Sequence, residues 1–124
     1  MILLPALLLA AAPPSAAGAA SAPATAFLAA VAGHDLARAR ATLAADVQFM
    51  DRRRPDPGGA TLESFATYVQ GCSRTDLTWE TDDADPTRSA VTATWACGGR
   101  GNVEAFVWTV GSRVVTVMFG PPRS

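Results

Sequence analysis

The sequence of 124 residues contains no lysine. All ten basic side chains are arginine, set against eleven Asp and Glu, for a net charge of -1. That balance leaves no electrostatic footprint for nucleic acid or for an anionic membrane. Histidine occurs once, at His34, and cysteine twice, at Cys72 and Cys97. So small and scattered a set lacks the spacing of a zinc site, and no metal or other cofactor is expected. A G-x-S-x-G nucleophile turn is absent. The glycines near residue 100 lie between strand-like segments rather than ahead of a helix, so they form no phosphate-binding loop. His34 has no partner acid or nucleophile in sight, which leaves it without a catalytic mechanism.

What is present begins with an apolar run, Ile2 to Ala12, then Pro13, Pro14 and small residues to Ala24. An apolar core ahead of an A-x-A site is the pattern of a secretory signal. Ala20-Ser21-Ala22 places cleavage after Ala22, with Ala17-Gly18-Ala19 as the second choice. The segment ahead of the core has no basic side chain. The run is shorter than the roughly 20 apolar residues that cross a bilayer. The reading is a signal peptide over 1–22 and a mature domain over 23–124, secreted or periplasmic, with no membrane association after cleavage. The mature part, about 100 residues, supports one core and not two. In an oxidising compartment an even pair suggests a disulfide, Cys72 to Cys97, with two free buried thiols as the alternative.

Hydrophobic periodicity gives the elements. Phe27, Leu28 and Val31 share one face of a helix over Thr25 to Ala32, which Gly33 ends. Asp35 reads as the N-cap of a second helix, Leu36 to Ala44. Val47 to Asp51 is a short strand, and Arg52 to Gly59 a loop dense in Arg, Pro, Asp and Gly. Thr61 caps a third helix whose face carries Leu62, Phe65, Ala66 and Val69. From Arg74 onward the period becomes two, and four strands joined by short turns make an antiparallel meander. Helices followed by strands predict an α+β fold, with helices on one face of a curved sheet and a small-molecule pocket at the open end of the resulting cone.

The stretch Phe27-Leu-Ala-Ala-Val-Ala-Gly-His-Asp-Leu36, continued by Leu43-Ala-Ala-Asp-Val-Gln-Phe-Met-Asp51, resembles the nuclear transport factor 2-like superfamily. Glu104 to Trp108 and Arg113 to Gly120 are similar to the last two strands of that group. The superfamily includes ketosteroid isomerase and the SnoaL-like polyketide cyclases. The resemblance implies a cystatin-like α+β roll, three helices packed in a curved, mostly antiparallel sheet. It also implies a homodimer through the outer face of the sheet. Set beside ketosteroid isomerase, Asp51 matches the catalytic Asp that closes the first strand, and Glu104 the acid of the oxyanion site. Phe27 stands where that enzyme has its oxyanion Tyr, so one hydrogen-bond donor is missing.

The residues themselves leave alternatives open. Asp51 is either a general base with a raised pKa or a strand-end carboxylate satisfied by loop amides or by one of Arg52, Arg53 and Arg54. The arginines are either a solvated loop or a guard at the pocket mouth for an anionic ligand. Glu104 is either a protonated donor to an oxyanion or a solvated Glu beside the glycine-rich turn. Phe27, Tyr68, Trp79, Trp95, Phe106 and Trp108 are the expected lining of a pocket for a small apolar molecule, with ordinary core packing as the alternative.

Overall fold

The structure is a computed structural model that describes residues 16–54, 59–81 and 87–122, with side chains described for 22–54, 59–75 and 87–122. Ile2 to Ala12 therefore lies outside the described residues, as do loop residues 55–58, turn residues 82–86 and the side chain of Trp79.

Helix α1 spans Ala16–Ala32, begins well ahead of Thr25 and runs through Pro23. Its packed part is the expected one: Ala24, Phe27, Leu28, Ala30 and Val31 are buried. The left-handed residue that ends it is His34, at φ 61°, not Gly33. The His34 and Asp35 amides donate to Val31 O and Ala30 O at 3.0 and 2.8 Å, the paired bonds of a Schellman closure. His34 is thus exposed and serves the turn through its backbone.

Asp35 caps α2, Leu36–Ala41, by accepting from the Arg38 amide at 3.1 Å. This helix stops short of the expected Ala44 because the chain finds another partner. Thr42 turns back on Ala39, and its carbonyl accepts from the Val114 amide at 2.9 Å. Strand β1, Leu43–Asp51, therefore starts earlier than Val47. Helix α3, Leu62–Tyr68, carries the expected Thr61 cap, closed as a box with the Ser64 hydroxyl and amide.

The meander follows as β2 (Ser73–Thr81), β3 (Arg88–Ala96), β4 (Asn102–Val110) and β5 (Arg113–Gly120). Its three ladders are antiparallel. β1 then adds to the far side of β5 in parallel, giving the order β1-β5-β4-β3-β2. Among the described residues the fold is α+β, three α-helices with a curved, mixed five-stranded sheet. One face of the sheet turns Val91, Ala93, Trp95, Val103, Ala105 and Val107 into a core shared with α1 and α3. Phe65 of α3 lies at its centre, within 6.0 Å of Phe27, 5.6 Å of Trp95 and 4.9 Å of Phe119 between ring centroids. Burying each such ring contributes about 1.5–3 kcal/mol.

Cys72 and Cys97 form a disulfide. It extends the β2–β3 ladder one step past the Ser73–Ala96 pair. Arg100 reinforces the corner, donating to Tyr68 O at 3.2 Å and Gln70 O at 3.0 Å.

Candidate functional site

The aromatic set divides in two. Phe27 and Trp95 are wholly buried and fill the cone together with Phe65 and Phe119. These four rings pack against one another as core. Tyr68 is half-buried at the edge of that cluster, 5.7 Å from Phe119 between centroids. Phe106 and Trp108 do not enter the cone. Residues alternate across a strand, and Val103, Ala105, Val107 and Thr109 take the core face of β4. Phe106 and Trp108 are left on the outer face, stacked on each other at 5.9 Å.

The same alternation separates the two candidate acids. Asp51 pairs in register with Phe119, whereas Glu104 pairs with the next residue, Gly120. Neighbouring positions of β5 face opposite ways, so the carboxylates lie on opposite faces and do not share a pocket. On the outer face Glu104 Oε1 lies 3.7 Å from Arg52 Nη2, and both side chains are mostly buried. Arg52 also donates to Pro121 O and lies over the Phe106 ring at 5.5 Å. Gly120 makes room for it: a Cβ there would come within 2.9 Å of Arg52 Cβ.

Asp51 is 7% exposed at the end of β1. Arg53 grips it as a fork, Nε to Oδ1 at 3.0 Å and Nη2 to Oδ2 at 2.8 Å, and the Arg53 amide adds a third bond to Oδ1 at 2.9 Å. The hydrogen bond from the Arg53 side chain lowers the Asp51 pKa below its ordinary value, and burial opposes this without reversing it. The guanidinium is held in turn by the Tyr68 ring, 3.8 Å below it. Asp51 is thus an ionised, fully engaged carboxylate, the opposite of the raised pKa that a general base in an apolar cone requires. Arg52 and Arg53 are tied into the fold rather than solvated. The sequence signal for this was the Asp-Arg-Arg-Arg run itself.

A cavity lies elsewhere among the described residues. It measures about 1090 Å³ and opens beside the free edge of β1, between that strand, the start of α3 and Arg40 of α2. Leu43, Val47, Phe49, Met50, Leu62 and Met118 supply its apolar wall. Arg40, Arg54, Glu63 and Thr61 stand on its polar side, with Asp51 and Arg52 at one end. Arg40 is paired with Glu63, and that contact lowers the Glu63 pKa. Local pattern did not locate this cavity, because it depends on β1 pairing with the distant β5 and so becoming an edge. Among the described residues no group of His, Cys, Asp and Glu is placed to hold a metal.

No protein-family model matches the sequence, and no curated protein matches it either. Solved structures do match in shape. A candidate polyketide cyclase from Xanthomonas campestris pv. campestris superposes with a TM-score of 0.60 at 16% identity, over 87% of this chain and 93% of that one. A candidate ketosteroid isomerase from Shewanella frigidimarina NCIMB 400 gives 0.61 at 14% identity, over 85% and 97%. An uncharacterised cystatin-fold protein from Novosphingobium aromaticivorans gives 0.53 at 15%, over 82% and 97%. The chain has the nuclear transport factor 2-like fold. At these identities the likeness extends to architecture, and that fold hosts many unrelated chemistries.

Proposed function

We propose that this protein is an exported nuclear transport factor 2-like domain that binds a small apolar or amphipathic molecule. The carrying observation is the cavity of about 1090 Å³ with its wall of Leu, Val, Phe and Met side chains. That size and lining suit a small-molecule site. Phe27 and Trp95, expected to line a pocket, are consumed by packing, and the cavity beside β1 is lined by other residues. Export is supported by the apolar N-terminal run and by the disulfide, which persists in oxidising compartments.

The names of the structural neighbours suggest isomerase or cyclase chemistry with Asp51 as general base. The Arg53 fork argues against it, and Glu104 lies on the other face of the sheet. Binding is the better reading.

A homodimer through the outer face belongs to the same proposal. Phe106 and Trp108 stack there, Met118 pairs in register with both Phe106 and Met50, and Met50 is 42% exposed.

The test is direct. The purified chain, refolded from denaturant to strip bound molecules, is screened against apolar and amphipathic compounds by calorimetry. Val47→Trp, which sets a bulky ring into the cavity wall, should weaken whatever binding is found. Binding that survives this change undiminished places the site elsewhere, and no binding at all ends the proposal.

A further inference from the structure

The charges around the β1-edge cavity do not cancel, and the remainder falls on one residue. Arg40 and Glu63 neutralise each other, Arg52 is set against Glu104, and Arg53 holds Asp51 at both oxygens. Arg54 is left over: it lines the cavity, is exposed, and its side chain acts on Asp51 through charge alone, with no hydrogen bond or ion pair among the described residues. Its position is not loose. The Arg54 amide donates to Asp51 O at 2.8 Å, closing a tight turn directly off the end of β1. A fixed backbone therefore presents one guanidinium, unpaired among the described residues, to a space whose apolar wall is Leu43, Val47, Phe49, Met50, Leu62 and Met118.

We propose that the cavity takes an amphipathic carboxylate, its head on the Arg54 guanidinium and its hydrocarbon body along β1 and Leu62. A guanidinium matches a carboxylate as a two-pronged donor. One surplus positive charge suits a monoanion, whereas a dianion would leave one negative charge uncompensated. Asp51 is already engaged with Arg53, so it does not compete for Arg54 as a bidentate partner. The Met side chains at the wall adapt to chains of differing length.

This inference rests on the cavity being a binding site, and the experiment separates the two ideas. Dodecanoate, dodecan-1-ol and dodecylamine are titrated by calorimetry into the full chain with its disulfide formed. Wild-type protein should prefer dodecanoate over dodecan-1-ol by about tenfold, with the amine weakest. Arg54→Gln should bring the acid and the alcohol to equal affinity while leaving alcohol binding unchanged. Because Arg54 is exposed, that variant keeps the fold, which circular dichroism checks. Equal binding of acid and alcohol by wild type overturns the carboxylate assignment but leaves the cavity as an apolar site. A preference that persists in Arg54→Gln, or a preference for the amine, overturns it equally. Failure of all three to bind overturns the binding reading and this inference with it.

Discussion

Arg53 closes on Asp51 from one side while the Tyr68 ring supports it from the other, at 2.8 Å to Oδ2 and 3.8 Å to the ring centroid. The arrangement joins the end of β1 to the last residue of α3 and fixes the corner from which Arg54 projects. A carboxylate at this point of the fold serves as an anchor, and its ionisation is part of the anchor's strength.

Asp51→Asn should therefore lower stability by about 1–3 kcal/mol at neutral pH, since it removes a charge-assisted pair from a buried site. The sign of the pH dependence follows from the lowered pKa. The pair contributes fully above the ordinary carboxylate value of about 3.9 and fades as pH falls through the lower folded value. Denaturant melts at pH 7 and at progressively acid pH should show the gap between wild type and variant closing. A constant gap would mean that the ion pair is not its source.

Removing the disulfide should cost about 2–4 kcal/mol, because Cys72 and Cys97 enclose 25 residues of sequence separation. Thermal unfolding of the Cys72→Ala/Cys97→Ala double variant against the oxidised chain measures this. Loss concentrated in the β2–β3 hairpin, read by amide hydrogen exchange, is the expected pattern.

Phe65→Ala should cost about 3–5 kcal/mol, since its ring touches three other aromatic side chains at the centre of the core. Chemical denaturation is the measurement. A cost under about 1 kcal/mol would indicate that the cone has room to collapse, which a packed interior does not.

Trp108→Glu places a charge on the outer face without touching the core. If that face pairs two copies, sedimentation velocity should shift from dimer to monomer while the melting profile of the monomer is retained. A wild-type chain that is already monomeric at micromolar concentration removes the dimer from the proposal.

Much of the architecture was legible in the sequence because it is written in local signals. Asp35 and Thr61 announced their caps, Phe27, Leu28 and Val31 their face, and the alternation from Leu77 onward its strands. The helix end at Ala41 was not legible, because it is set by Arg113 and Val114 at the other end of the chain. The site was less legible still. Alternation placed Glu104, Phe106 and Trp108 on one strand face, but nothing local told which face the helices would cover. The Asp51–Arg53 fork was one of the alternatives that the sequence left open. The cavity could not be read from any window of sequence, as its wall joins residues of β1, α3 and β5.

The pairing of β1 with β5 has a consequence for how the protein is made. The first strand to leave the ribosome docks only against the last, since Leu43 meets Val114 and Asp51 meets Phe119. Until β5 has been made, β1 has no strand to pair with among the described residues, and the Arg52 amide lacks the Phe119 carbonyl it bonds. A chain built this way keeps one strand open through most of its synthesis, and its sheet closes at β1 only once β5 is available.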